Sequence, residues 1–368
     1  MGIGQCPLEN LVMDSAFWKN KKVLVTGHTG FKGSWLSLWL KTSGAGVIGY
    51  SLEPPSTPNM FEVAGIASEI TSLSGDIRDL ENFKAAVNKH QPEIIIHMAA
   101  QPLVRYSYKH PVETYSTNVM GTVNILEAAR QPGSVKVVLI ITSDKCYENK
   151  GSMTGYRESD PMGGYDPYSS SKGCAELVTA AYRNSYFNTD EYANHGVTVA
   201  SARAGNVIGG GDWGADRLIP DIMRSSLANQ SVTIRYPDAV RPWQHVLEPL
   251  NGYMQLAEQL WNNGPEFSGG WNFGPDDTDC KPVRWILETL DKQWEDGISW
   301  KIDSADNPHE AGYLSLNCSK SKQRLGWSPR LDLEKALKLL VDWYQGYANN
   351  ENMRKLSIDQ IQYFENLT

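Results

Sequence analysis

Lys22-Val23-Leu24-Val25-Thr26-Gly27-His28-Thr29-Gly30-Phe31-Lys32-Gly33-Ser34-Trp35-Leu36-Ser37-Leu38-Trp39-Leu40 is the stretch whose reading decides the fold. Lys22 to Thr26 has the length and apolar content of a buried strand, and Ser34 to Leu40 continues at helical spacing. A glycine turn joins the two. Strand, glycine turn and helix in that order are the context of a dinucleotide fingerprint. Glycines let the backbone come close to a pyrophosphate, which then rests on the amide groups at the helix start. The spacing is G-x-x-G-x-x-G rather than the G-x-G-x-x-G of ordinary dehydrogenases. Gly27, Thr29, Gly30, Phe31, Lys32 and Gly33 are therefore candidate cofactor contacts.

Working outward, Val47 to Ser51 reads as a second strand. An acidic residue at its end would hold the adenosine ribose of NAD, about 20 residues beyond the glycines. None stands there, and Glu53 comes slightly late. No arginine awaits a 2′-phosphate either, so NAD is favoured over NADP. Ile70 to Ser74 is a third strand, followed by Gly75-Asp76-Ile77. Asp76 is placed to meet the adenine, and Asp79 or a neighbour to cap a helix from Leu80 to His90. Ile94 to Ala100 is a fourth strand whose small end residues Ala99 and Ala100 suit a backbone lying against a cofactor. His97 within it reads as a satisfied buried histidine. A long helix from about Val112 to Arg130 carries Asn118.

Val137 to Thr142 is continuous and apolar, as a central parallel strand should be. It ends in Ser143-Asp144-Lys145-Cys146-Tyr147, and polar residues at such an end mark the ligand crevice of an open α/β sheet. Val197 to Ser201 is a sixth strand. The alternation predicts an α/β fold, a Rossmann-like doubly wound parallel sheet, with a smaller mixed α/β lobe. The boundaries expected are 1–204 for the dinucleotide domain and 205–368 for a mainly substrate-binding lobe, interleaved with the first. Glu334 to Tyr347 reads as an amphipathic helix. The polar tail after Asn349 suggests no function.

Tyr168 and Lys172 lie four residues apart, so they share one face of a helix. An ammonium there can hold a phenol nearer its ionised form, and a phenol is otherwise a poor base at neutral pH. The spacing alone is common on exposed helices. The strand end at Ser143 and the glycine turn upstream give it meaning.

The chain has 368 residues with 41% apolar content, enough for a full core, and a formal net charge of -8. That charge argues against a general nucleic-acid binder. No apolar run is long enough to span a membrane, and the N-terminus has no basic region followed by an apolar core. Five scattered cysteines match neither a disulfide framework nor a metal site, which suits a reducing cytoplasm. Core packing is the default account of the 12 tryptophans.

Thr26-Gly27-x-x-Gly30-x-x-Gly33, His97-Met98-Ala99-Ala100, Thr142-Ser143-Asp144-Lys145 and Tyr168-x-x-x-Lys172 together resemble the extended short-chain dehydrogenase/reductases. Arg203-x-Gly205-Asn206-Val207, Arg241-Pro242-Trp243-Gln244-His245-Val246, Trp271-Asn272-Phe273-Gly274 and Leu325-Gly326-Trp327 look like that family's substrate half, so the match covers most of the chain. Within the family, Ser143-Asp144-Lys145 is similar to the dehydratase branch acting on CDP-glucose. Dehydratases acting on dTDP-glucose read Thr-Asp-Glu there, and 4-epimerases lack the Asp-Glu pair.

The resemblance implies an NAD-dependent 4,6-dehydration: oxidation at C4, loss of water across C5 and C6, and hydride return to C6. The product is a 4-keto-6-deoxy sugar for deoxysugar and O-antigen polysaccharide synthesis. Tyr168, its pKa lowered by Lys172 and by the positive nicotinamide, would take the 4-hydroxyl proton, with Ser143 positioning that oxygen. Asp144, raised by burial, would protonate the departing 6-hydroxyl. Lys145 would be either the C5 base, if burial beside cations makes it neutral, or a charged stabiliser of the enolate. The first of these is favoured. Cofactor contacts would include Asp76, Ile77, Ala99, Ala100, Asn118, Tyr168 and Lys172, besides the glycine turn. Asn206, Arg217 and Arg241 would bind the nucleotide sugar, with His309 and Glu310 approaching the same pocket. A homodimer through the helices around 112–130 and 168–187 is also implied. The competing readings are another nucleotide-sugar dehydratase or 4-epimerase, and a catalytically inactive dinucleotide-sensing scaffold.

Overall fold

The computed structural model describes residues 15–151, 154–303 and 314–367. Seven strands form one parallel sheet: β1 (Lys22–Thr26), β2 (Gly46–Ser51), β3 (Thr71–Ser74), β4 (Ile94–His97), β5 (Val137–Ile141), β6 (Thr198–Ala204) and β10 (Gly269–Phe273). Their spatial order is β10-β6-β5-β4-β1-β2-β3. The order reverses between β1 and β4, the topological switch point at which open α/β sheets bind ligands beyond the strands' carboxyl ends. Every residue of β4 and β5 is buried, which requires cover on both faces and explains their unbroken apolar runs.

The helices that matter to the site are α1 (Phe31–Thr42), α2 (Leu80–His90), α3 (111–129), α4 (Pro167–Ser185), α5 (Leu218–Leu227), α6 (Leu247–Asn263), α7 (Val283–Gln293), α8 (Leu333–Ala348) and α9 (Met353–Glu365). The long third helix is continuous but contains a π-helical turn over Ser116–Met120, which carries Asn118. Asp79 caps α2 by accepting from the Asn82 amide at 3.1 Å.

Beyond residue 205 the chain builds a three-stranded sheet from β7 (Asn206–Ile208), β9 (Val240–His245) and β11 (Cys280–Pro282), and a small pair from β8 (Val232–Ile234) and β12 (Trp300–Ile302). It also returns to the large sheet, because β10 pairs with β6 and α6 packs beside β5 and β6. Trp35, Trp39, Trp271, Trp327 and Trp343 are fully buried in the shared core.

The tail after Asn349 is structural. Helix α9 packs on α1, where Trp39 Nε1 donates to Glu365 Oε1 at 2.7 Å and its ring meets Phe364 edge-on. Its polar composition hides this because only one stripe, with Met353, Ile361 and Phe364, faces inward.

Candidate active site

At the turn between β1 and α1, Gly27 has φ +73°, and a Cβ there would lie 2.7 Å from the Ala99 amide nitrogen. A Cβ on Gly33 would lie 2.1 Å from the Gly27 carbonyl oxygen. The turn is thus packed backbone on backbone against the end of β4. Gly30 stands at the N-cap of α1 with no side-chain cap, leaving first-turn amides open to an anion. Thr29 Oγ1 fastens the turn to β2 through Ser51 Oγ (2.8 Å) and the Leu52 carbonyl (3.0 Å). A dinucleotide pyrophosphate fits this cradle.

Other expected cofactor contacts have partners of their own. Asp76 is held by Arg78, whose Nε lies 2.8 Å from Oδ2, and this pair keeps its carboxyl below the usual range. Buried Ile77 packs beside Gly121 of α3. Asn118 Oδ1 accepts from the Gln101 amide at 2.8 Å, and its amide donates to Ser171 Oγ at 2.8 Å, linking the π-helical turn to α4. Ala99 and Ala100 follow β4 beside the glycine turn. His97 is a satisfied core residue: Nδ1 meets Thr26 Oγ1 at 2.7 Å, and burial lowers its pKa to about 3.

The chemical centre forms where β5 meets α4. Asp166 caps α4, accepting from the Ser169 amide at 2.9 Å, and Pro167 takes the first helical position. Ser143, Asp144 and Lys145 lie on the tight turn after β5. Asp144 Oδ1 accepts from Ser143 Oγ at 2.8 Å and faces Lys145 Nζ at 3.4 Å. Tyr168 is buried, with its phenol close to Ser143 and Lys145. Lys172 Nζ donates to the Ile141 carbonyl at 3.3 Å. Ser143, Asp144, Lys145, Tyr168 and Lys172 therefore share one site.

Two electrostatic expectations need correction. Burial pushes the Tyr168 phenol above its ordinary pKa, opposed mainly by Lys145 and then by Ser143 and Arg217, rather than lowered by Lys172. The Lys172 ammonium is turned to the end of β5, and burial lowers it to about 8. Lys145 is not made neutral by burial beside cations. The Asp144 carboxylate raises its pKa, outweighing burial and Arg241.

Lys32, in the first turn of α1, is partly buried, and desolvation together with Lys172 and Arg217 lowers it to about 7. A Cβ on Gly205 would lie 3.2 Å from Asp144 Oδ2 and 3.5 Å from Pro242 Cγ, so the segments bearing Asn206 and Arg241 converge on the acid. Arg217 pairs with buried Asp212 at 3.0 Å and acts on Tyr168 and Lys32. Cations thus outnumber anions around the site, which suits a diphosphate ligand. His309 and Glu310 lie outside the described residues.

Sequence reasoning gave no role to Glu176 and Arg203, a buried ion pair beneath this centre at 2.8 Å. A signal was present, because Tyr168, Lys172 and Glu176 fall at successive four-residue steps on one helix face. Among the described residues no cluster of His, Cys, Asp or Glu can hold a metal ion, and no helix is long and apolar enough to cross a membrane.

The chain is 56% identical over 93% of its length to a CDP-glucose 4,6-dehydratase of Salmonella typhimurium, covering 95% of that protein. It is 27% identical to a dTDP-glucose 4,6-dehydratase of Xanthomonas campestris pv. campestris, over 84% of this chain and 93% of that one. Its fold is shared with dTDP-glucose 4,6-dehydratase of Bacillus anthracis in complex with NAD (TM-score 0.71, 22% identity, 91% of this chain and 99% of that one). The family model described as GDP-mannose 4,6 dehydratase matches residues 24–340. With the glycine cradle, the Tyr168–Lys172 helix and the Ser143–Lys145 turn all inside that span, the chain belongs to the GDP-mannose 4,6 dehydratase family.

Proposed function

We propose that this chain is an NAD-dependent hydro-lyase converting CDP-glucose to CDP-4-keto-6-deoxyglucose. The carrying observation is the Ser143–Asp144–Lys145 constellation in a chain 56% identical over 93% of its length to a CDP-glucose 4,6-dehydratase. The glycine turn, with Gly27 to Gly33 around the first turn of α1, holds the NAD pyrophosphate, and Tyr168 and Lys172 face the reacting sugar from α4. NAD, when bound, accepts the C4 hydride and later returns it to C6.

The protein's own groups supply the rest. Ser143 orients the sugar's 4-hydroxyl, and Tyr168 takes its proton. The cations that oppose burial at the phenol, Lys145 and Arg217, stabilise the phenolate that accepts this proton and becomes phenol. A C4 ketone acidifies the C5 proton by allowing an enolate. The 3.4 Å contact lets one proton pass from the Lys145 ammonium to the Asp144 carboxylate. That transfer yields an amine to take the C5 proton and a carboxylic acid to protonate the departing 6-hydroxyl. Bound sugar favours it, because covering the part-exposed Lys145 removes solvation from both charges and so favours the neutral pair. Arg217, Arg241 and Asn206 bind the nucleotide diphosphate.

The functional unit is a homodimer in a reducing cytoplasm. Val112 and Met120 on α3, Leu177 on α4 and Tyr186 just past its end are exposed hydrophobic residues that a second copy would cover, and Cys146, Cys174, Cys280 and Cys318 are free thiols.

The test is incubation of the NAD-loaded protein with CDP-, dTDP- and UDP-glucose, following the 4-keto product. Turnover of CDP-glucose well ahead of the others is expected. C4 epimer without 4-keto-6-deoxy sugar refutes dehydration, and no reaction with any of the three refutes the enzyme reading.

A further inference from the structure

We propose that the buried Glu176–Arg203 pair is a positioning element of the active site, locking the helix that carries Tyr168 and Lys172 to the strand ends that carry Ser143 and Gly205. The proposal rests on Tyr168 and Lys172 being the oxidising pair.

Glu176 follows Lys172 by one turn of α4 and Tyr168 by two, on the same face. Its carboxylate accepts four hydrogen bonds. Thr142 Oγ1 donates at 2.5 Å, Ser201 Oγ at 2.6 Å, and Arg203 at 2.9 Å from Nε and 2.8 Å from Nη2. Thr142 immediately precedes Ser143 at the end of β5, while Ser201 and Arg203 lie on β6. The remaining guanidinium nitrogen, Nη1, donates to Tyr147 Oη at 2.5 Å, and Tyr147 Oη donates to Asn272 Oδ1 of β10 at 2.8 Å. One charged pair thus ties α4 to three adjacent strand ends, beneath the residues that face the ligand.

Thr142, Glu176, Ser201, Arg203 and Asn272 are each no more than 5% exposed. The slot is shaped for the guanidinium, since a Cβ on Gly270 would lie 2.4 Å from Arg203 Nη2. A buried ion pair seldom stabilises a fold better than apolar residues of the same volume. What it supplies is directionality: with every acceptor position filled, α4 has one rotation and one height relative to β5. Slippage of about 1 Å at a reacting pair costs on the order of 100-fold in rate.

The pair also governs charge at Lys172. Facing Lys172 are Glu176 from its own helix, Cys146 from the turn after β5, His97 from the end of β4 and Lys32 from α1. Burial holds the Cys146 thiol protonated and His97 neutral, and Lys32 repels the ammonium. Glu176 is therefore the charged group that keeps Lys172 an ammonium against burial.

The experiment compares the NAD-loaded parent with Glu176→Gln and Thr142→Val, the latter deleting one bond while leaving the ion pair intact. It measures kcat, KM for CDP-glucose, the pH profile of kcat, and amide hydrogen exchange over 142–147 and 167–176. For Glu176→Gln, kcat should fall about 100-fold with KM changed less than about threefold. Its alkaline limb should move down by about one pH unit, as Lys172 loses its anion. For Thr142→Val, kcat should fall about tenfold with the limb unmoved and exchange faster over both segments. A Glu176→Gln protein that loses stability but keeps the parent's kcat and limb overturns the proposal in favour of a purely structural pair. Should that variant not fold, Thr142→Val decides, and parental kcat and exchange there overturn it. Should the parent form no 4-keto sugar, the functional reading falls separately, and unchanged exchange in Thr142→Val then overturns the lock.

Discussion

Replacing Asp144 by Asn and, separately, Lys145 by Ala tests how acid and base are produced from one contact. Two unit charges 3.4 Å apart attract by about 5 kcal/mol at an effective dielectric of about 20. The Lys145 side chain is 34% exposed, so solvent screens much of this, and what remains holds the Lys145 pKa above its ordinary value. The sign follows from the groups around it: the Asp144 carboxylate favours the ammonium, whereas burial and Arg241 favour the amine. Removing the carboxylate therefore lowers the pH at which Lys145 becomes a base. The assay runs the NAD-loaded variants with CDP-glucose in deuterium oxide and follows deuterium at C5 and water loss separately. Asp144→Asn should still exchange C5, with a pH midpoint below the parent's, while 4-keto-6-deoxy product falls about 100-fold or more. Lys145→Ala should lose both exchange and product by about 100-fold, with C4 oxidation slowed less, because Arg217 still supports the Tyr168 phenolate. Undiminished C5 exchange in Lys145→Ala would remove Lys145 as the base. An unshifted midpoint in Asp144→Asn would refute proton sharing within the pair.

Two further outcomes follow from other parts of the structure. Burial raises the Glu248 carboxyl to about 7, although its Oε1 accepts the Arg330 and Leu331 amides at 2.9 and 2.7 Å. The folded chain then binds more protons than the unfolded one between about pH 4.5 and 7, so stability should fall by about 3 kcal/mol as pH rises through that window. Glu248→Gln, which keeps the Oε1 acceptor, should flatten the change in a denaturant series across it. Gly27→Ala places a methyl 2.7 Å from the Ala99 nitrogen at φ +73°. Left-handed strain and overpacking together should cost about 2–5 kcal/mol and abolish NAD binding, measured by denaturation and by cofactor titration.

What was legible in the sequence is what local chemistry controls. A strand of Lys22 to Thr26 needs only its apolar run, and the turn after it needs only glycine where the backbone closes on itself at Gly27 and Gly33. Tyr168 and Lys172 share a face because the helical period puts them there. Asp79 could be named as a cap from its place before Leu80. The second strand's missing acid was equally plain, and Ser51 is indeed bound to Thr29 rather than replaced by a carboxylate.

Charge state was the part that eluded a linear reading. Lys145 could have been neutral or charged until its distance to Asp144 was known. Tyr168 was expected to answer to Lys172, yet burial, together with Lys145 and Arg217 from other segments of the chain, dominates it. Glu176 and Arg203, 27 positions apart, received no role because no local pattern joins them, and only the meeting of α4 with β6 makes them partners. The tail beyond Asn349 read as inert because its apolar residues are sparse, and only the exposed flank of α1 gives them a surface to cover.

The sequence by itself determined the doubly wound sheet, the dinucleotide cradle and the identity of the five groups that meet where β5 joins α4, because each depends on residue type and short-range period. Tertiary structure alone decided which of those groups carry protons, and what holds them in phase. Those properties depend on desolvation and on distances between segments, and neither is fixed until the strand ends and α4 have packed together.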